Sequence, residues 1–361
     1  MNTRSLAIRP SVLQSASDQA RRPRWQGGRA RALLAAIVLV LSYLVPTSAA
    51  QDEAWVGRRV MVVREGAQFR VKGKRPVPAP VGMVLEVSRV NGRWLWGEGP
   101  RGWVKQSDVV PQDEALDHFT AQIDRKPTSK AYQHRGIALA ALGNFDESIN
   151  DFAEAIRRDA NNVAATNDRG NVLRKLGRLD DALADFNTVI ERGVRHPAVY
   201  TNRGLVWHEK GDYDRALADF NTALRIDAEF APAWEAGGAA RQAKGDDGKA
   251  IANYRRATEL APDFHRAHNN LAWLLATDQD AQLRDGEAAV RHATTANELS
   301  HYSDADYLDT LAAALAEAGQ FDDAVRRAKE VMEKASADRK TAIQHRLELY
   351  DAQKPFRESG E

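Results

Sequence analysis

RGNVLRKLGRLDDALADF, residues 169–186, decides the fold, because the chain writes the phrase more than once. RGIALAALGNFDESINDF occupies residues 135–152 and RGLVWHEKGDYDRALADF residues 203–220, so equivalent positions recur every 34 residues. Gly136, Gly170, Gly204 and Gly238 keep that interval, as do Gly143, Gly177, Gly211 and Gly245, and Phe152, Phe186, Phe220 and Tyr254. Within one copy, Ala182, Phe186, Val189 and Ile190 follow the i, i+4, i+7, i+8 spacing of a single apolar helical stripe. Small residues at Gly136 and Ser148, and at Gly170 and Ala182, mark where two antiparallel helices cross too closely for a larger side chain. The second glycine of each copy falls at the end of the first helix, where a positive φ closes the turn at little cost. Each copy therefore reads as a helical hairpin whose apolar flank needs a neighbour.

A 34-residue period of two amphipathic halves, with small residues at two fixed places and an aromatic after the second, resembles the tetratricopeptide repeat. The resemblance implies an α-solenoid over residues 129–337, with hairpins at 129–162, 163–196, 197–230, 231–264, 265–303 and 304–337. Tyr132, Tyr200 and Trp234 are expected to fill the gaps between hairpins. Ala115, Phe119 and Ile123 keep second-helix register, so 112–128 is expected to cap one end of the stack, and a helix and tail in 338–361 the other. The fifth hairpin is irregular: Ala289, Ala293 and Ala296 arrive five residues late, and TDQDAQLRDGE is expected to bulge between its helices. Asp278, Asp280 and Gln282 hint at a calcium loop, but Leu283 stands where the sharp-turn glycine belongs, so a solvated insertion is the better reading.

Departures from the family pattern carry information. Only Pro262 is present of the prolines expected after second helices; Ala160, Val194 and Ala228 take the other places. Arg135, Arg169 and Arg203 sit where leucine is typical, and each of those copies has an aspartate before its second-helix aromatic, namely Asp151, Asp185 and Asp219. In the fourth copy both are replaced together, by Gly237 and Asn253. The joint change predicts ion pairs, within a hairpin or across to the next, with the arginine stem packing as leucine would. A row of arginines facing a ligand is the functional alternative.

The first fifty residues have another composition. Arg21, Arg22, Arg24, Arg29 and Arg31 precede the apolar run ALLAAIVLVLSYLV, which is followed by Pro46 and TSAA. That order is a secretory signal, with cleavage expected after Ala50. The run falls short of the ~20 residues of a comfortable span, which favours cleavage over an inner-membrane anchor. The chain is therefore expected to be exported, periplasmic or extracellular. With no cysteine, it carries neither disulfides nor a thiolate.

Residues 51–111 switch to short β-branched runs separated by Gly- and Pro-rich turns. VNGRWLWGEGPRGWVKQSDVV, with Asn91-Gly92 marking a hairpin, resembles the bacterial SH3-like domain and implies a small all-β barrel. Gly97, Gly99 and Gly102 spell G-x-G-x-x-G, yet a phosphate loop needs a helix after it, and WVKQSDVV is β-type, so a hairpin turn is expected. The resemblance implies that Leu95 and Gly97 face inward and leaves Trp94 and Trp96 near a ligand groove; the plainer reading is that both merely cover the barrel. This segment has eleven Lys and Arg against six acidic residues. Anionic cell-envelope polymer is thus an alternative ligand, bound through the barrel.

Over the whole chain 51 Lys and Arg oppose 50 Asp and Glu; losing residues 1–50 removes seven and one of these, leaving −5. A nucleic-acid-binding protein would lean the other way. The family resemblance implies an inner wall lined by first helices that holds an extended peptide or a partner helix, with Gln133, Asn167, Asn171, Arg174, Thr201, Leu205, His208 and Glu235 facing inward. The family's carboxylate clamp is not expected, because Gln133 and Ile137 stand where its first Lys and Asn belong. The sequence contains no Gly-x-Ser-x-Gly elbow and no His-Glu-x-x-His. His265 and His268 are spaced i, i+3, but His268 takes a first-helix aromatic position and reads as core. The expectation is a non-catalytic interaction scaffold without metal or cofactor.

Overall fold

The computed structural model describes residues 54–98 and 102–358. The signal segment and Gly99 of the glycine motif lie outside the described residues. Seven strands come first: β1 (Arg59–Val62), β2 (Gln68–Phe69), β3 (Val77–Pro78), β4 (Val84–Asn91), β5 (Trp94–Glu98), β6 (Gly102–Lys105) and β7 (Val109–Pro111). Fourteen helices follow, beginning with α1 (Ala115–Arg125). Six hairpins come next: α2 (Ser129–Leu142) with α3 (Phe145–Arg158), α4 (Val163–Lys175) with α5 (Leu179–Glu191), α6 (Pro197–Glu209) with α7 (Tyr213–Ile226), α8 (Ala231–Gln242) with α9 (Asp247–Leu260), α10 (His265–Thr277) with α11 (Gly286–Leu299), and α12 (Ala305–Glu317) with α13 (Phe321–Lys334). Helix α14 (Ala337–Asp351) closes the stack.

The repeat phrase explains the hairpins atom by atom. Phe152, Phe186, Phe220 and Tyr254 are fully buried, and each lies against the first glycine of its own copy. A methyl group built on Gly204 would stand 2.6 Å from Phe220 Cε1, and one on Gly136 2.8 Å from Phe152 Cε1. Gly177 and Gly211 follow their first helices with φ of 72° and 78°, in the left-handed region that a side chain would strain. Side chains of Thr128, Asn162 and Asp212 accept hydrogen bonds from the first-turn amides of α2, α4 and α7. The array is an α-solenoid, and every first helix packs on the second helix of its own hairpin and on that of the hairpin before.

The barrel expected over residues 51–111 is corrected. The strands form an open five-stranded antiparallel sheet in the order β6-β5-β4-β1-β7, and among the described residues no sheet closes. β2 and β3 make a separate ribbon that meets β6 through the single pair Arg70–Trp103. Two causes are visible. Pro76, Pro78 and Pro80 alternate through the segment that would have to extend β3, and proline gives no ladder donor. Moreover, β1 is buried on both faces, whereas a barrel strand buries only its inner one. Val60 and Val62 join Phe69, Leu85, Val87, Leu95 and Val104 on one side. Met61 and Val63 face the other way, into a cluster with Ala115 and Phe119 of α1 and Ala138 of α2. The sheet is thus docked on the head of the solenoid. Gly97 and Gly102 are cross-strand partners of the β5–β6 hairpin, and a strand follows Gly102 where a phosphate loop would need a helix.

Candidate functional site

First helices touch the next first helices along the stack, α2 to α4, α4 to α6, α6 to α8 and α10 to α12, while no second helix makes a comparable contact with the next second helix. The first-helix layer is therefore the tighter one, and it forms the inner wall. Polar side chains link one hairpin to the next along it. Gln133 Nε2 donates to Asp168 Oδ2 at 2.9 Å, Arg174 pairs with Glu209, and Asn270 Nδ2 donates to Glu235 Oε1 at 2.9 Å. Each link spans 35 residues, one more than the repeat. Reading within one period identified Gln133, Arg174 and Glu235 but missed Asp168, Glu209 and Asn270; complementary polar residues at i, i+35 were the signal.

Two clusters result. In the first, Asn162 Nδ2 donates to Gln133 Oε1 at 3.1 Å, and Asp168 takes a second bond from Asn167 at 3.4 Å. Burial pushes the Asp168 carboxyl above the ordinary carboxylate value, and the bonds from Gln133 and Asn167 pull it back. In the second, buried Glu235 accepts from Arg266 Nη2 at 2.6 Å as well as from Asn270. Burial raises its pKa too, against the nearby Arg266 and His208. Asn171 is half-buried on the same helix as Asn167. Thr201 and Leu205 do not join either cluster: the buried Thr201 hydroxyl donates to Pro197 O at 3.0 Å, and Leu205 packs on the Phe220 core.

Several first-helix atoms stay unpaired. Asn167 Oδ1, Arg174 Nε, His208 Nε2 and Asn269 Oδ1 are shut off from solvent without a hydrogen-bond partner. Such atoms are rare in folded proteins and each carries a desolvation penalty. At the head of the wall a cavity of about 990 Å³ opens between the sheet and the first hairpin, lined by Pro78, Val81, Lys130, Gln133, Ile137 and Asn162 among others.

The arginine row is tied up in ion pairs within the hairpins. Arg135, Arg169 and Arg203 each make two bonds to the aspartate sixteen residues on, Asp151, Asp185 and Asp219, at 2.6–2.8 Å, all within one hairpin. The carboxylates hold each guanidinium above its usual pKa. Arg203 also donates to Asn187 of the preceding hairpin at 2.8 Å. In the fourth copy the pair is replaced by Gly237 and Asn253, which still lie against each other: a methyl at position 237 would stand 2.8 Å from Asn253 Nδ2.

Trp94 and Trp96 are half-buried beside basic side chains. Arg89 lies 4.5 Å from the Trp96 ring centre, with Trp103 edge-on at 5.3 Å, and Arg70 and Lys105 lie 5.4 and 5.7 Å from Trp94. Leu95 and Gly97 are buried. With no closed barrel the envelope-polymer reading, which rested on it, is unsupported, while Trp94 lines an open cavity with Arg93, Lys105, Gln106 and Ser107. Among the described residues no group of His, Cys, Asp or Glu could hold a metal ion, and the Asp278–Gln282 segment is a chain of side-chain-to-backbone turns.

No curated protein matches the chain in sequence. Among solved structures, the APC/C hetero-tetramer Cut9-Hcn1 superposes with a TM-score of 0.58 at 15% identity, over 66% of this chain and 46% of that one. The chain thus spans less than half the length of that relative, and at this identity the likeness concerns the fold alone. A tetratricopeptide repeat protein from Parabacteroides merdae aligns at TM-score 0.46 and 15% identity, over 68% of this chain and 93% of that one. TTC0263, a thermophilic TPR protein in Thermus thermophilus, aligns at 0.44 and 23%, over 52% and 99%. Models of the tetratricopeptide repeat match residues 134–193, 167–229 and 231–264. Those residues are an array of tetratricopeptide repeats.

Proposed function

We propose that the inner wall of hairpins one to four holds a partner protein through an extended peptide or a helix, and that the chain does so outside the cytoplasm after export directed by residues 1–50. The observation that carries the reading is the layer of first helices, which contact one another along the stack and carry polar links from one hairpin to the next. Affinity then comes from polar pairing along the wall and from burial of the partner's apolar side chains.

The test compares partner capture by the wild-type chain with capture by an Asn167→Ala/His208→Ala variant of unchanged helix content. Loss of a specific partner from the extracytoplasmic fraction supports the reading; full retention moves the binding surface elsewhere. Export is tested separately by fusing residues 1–50 to a reporter active only outside the cytoplasm.

A further inference from the structure

The last residues do not trail away from the stack. Helix α14 ends in a turn in which Gln353 adopts φ 54° and Lys354 N–H bonds to Leu349 O at 2.8 Å. Pro355 then blocks any return to helix and keeps Lys354 extended. The extended segment that follows runs back over α12 and α10. Phe356 packs on the core cluster that contains Ala313 and Ala316 of α12, with its ring 6.1 Å from that of Trp273 and Arg346 5.4 Å from its face. Arg357 pairs with Glu317 at 2.6 Å. Glu358 is held on three sides: its N–H donates to Thr277 O at 2.9 Å, its carbonyl accepts from Gln279 Nε2 at 3.0 Å, and its carboxylate accepts from Trp273 Nε1 at 2.7 Å.

Trp273 lies one residue after Ala272, as Asn171 and Leu205 lie one residue after Gly170 and Gly204, so it belongs to the same inner-wall row. We infer that hairpins five and six form a peptide site for an extended segment of the pattern aromatic–arginine–acid, and that the chain's own Lys354–Glu358 is its resident occupant. Every recognition element is present: an apolar floor for the aromatic ring, a carboxylate for the arginine, and an indole N–H with an amide side chain for the acidic residue and its backbone. The inference rests on the proposed use of the inner wall, but concerns different hairpins and can fail alone. A tethered occupant raises the concentration that a competing segment must reach, so release of the tail would open the site to a partner segment of the same pattern.

The experiment uses the full chain and a fluorescent peptide of residues 352–361. The variant Phe356→Ala/Arg357→Ala is expected to bind the peptide at least tenfold more tightly than the wild type. Adding Trp273→Ala to that variant, or replacing the peptide's phenylalanine by alanine, is expected to abolish binding. Gln279→Ala serves as a milder surface substitution, and should weaken the peptide severalfold without altering helix content. Tryptic cleavage after Arg357 supplies an independent readout: Phe356→Ala alone should be cut at least tenfold faster than wild type. Equal peptide binding by wild type and tail variant, or equal cleavage rates, would overturn the inference. Failure of the Asn167→Ala/His208→Ala test would leave these outcomes unaffected.

Discussion

Asp185 and Arg169 are worth more as a pair than apart. The carboxylate is 7% exposed and the guanidinium 26%, so removing either partner strands a charge in a poorly hydrated place. Asp185→Ala is expected to cost about 2 kcal/mol by urea unfolding, and Arg169→Leu a similar amount. The double variant should cost at least ~1 kcal/mol less than their sum, since leucine restores the packing at that place. Joint replacement in the fourth copy made this pairing legible in the sequence, though whether it ran within or between hairpins needed coordinates. The histidine pair was not legible. Buried His268 donates from Nε2 to Pro262 O at 3.2 Å, and its Nδ1 lies 2.8 Å from His292 Nδ1, so these two nitrogens share one proton between them. Burial, then His268, Arg291 and Arg255, holds His292 down to about 4. The unfolded chain takes up the proton near the ordinary histidine value and the folded chain only near 4, so stability falls as pH drops through that window. Between pH 7.5 and 5 the loss should be on the order of 1–2 kcal/mol, and His292→Gln should flatten it in urea titrations at the two pH values.

At the scale of the hairpin, two opposed effects meet at Gly204. Alanine is favoured over glycine in a helix by up to about 1 kcal/mol. Its methyl would stand 2.6 Å from Phe220 Cε1, on a ring that is fully buried and cannot retreat. Overpacking of this kind costs ~1–3 kcal/mol, so the contact wins and Gly204→Ala should lower Tm. Gly170→Ala should cost less, because its methyl would lie 3.0 Å from Phe186. Phe220→Leu should recover part of the Gly204→Ala loss, which a propensity effect would not allow. These positions were legible because the hairpin repeats its own constraints. The sheet does not repeat. Its turns and strand lengths read as a barrel, whereas RRVMVV, apolar without alternation, already carried the contrary signal that β1 is covered on both faces.

Over the whole molecule, the ends of the stack were the hardest to foresee. The tail meets the wall across a separation of 85 residues between Trp273 and Glu358, and no local pattern announces such a contact. At the other end the sheet takes the place of a preceding hairpin. Met61 is fully buried between the sheet and helices α1 and α2, and Ile137 of α2 fits against Gly82 so closely that a methyl there would lie 2.1 Å from its Cγ2. Glu65 adds an ion pair to Lys130 at 2.6 Å. A solenoid is stabilised by nearest-neighbour interfaces, so damage at its head should reach the first hairpin and fade along the stack. Met61→Ala removes buried volume shared by both parts and should cost ~2–4 kcal/mol. In hydrogen exchange, amides of β1 and α2 should then exchange at least tenfold faster together, while those of α10 and α12 keep their protection. If α2 were unaffected while β1 loosened, the sheet would be an independent unit and the solenoid would need another cap. If the whole array loosened equally, its hairpins would unfold as one cooperative block, and the inner wall could not offer a partner sites that open separately at its two ends.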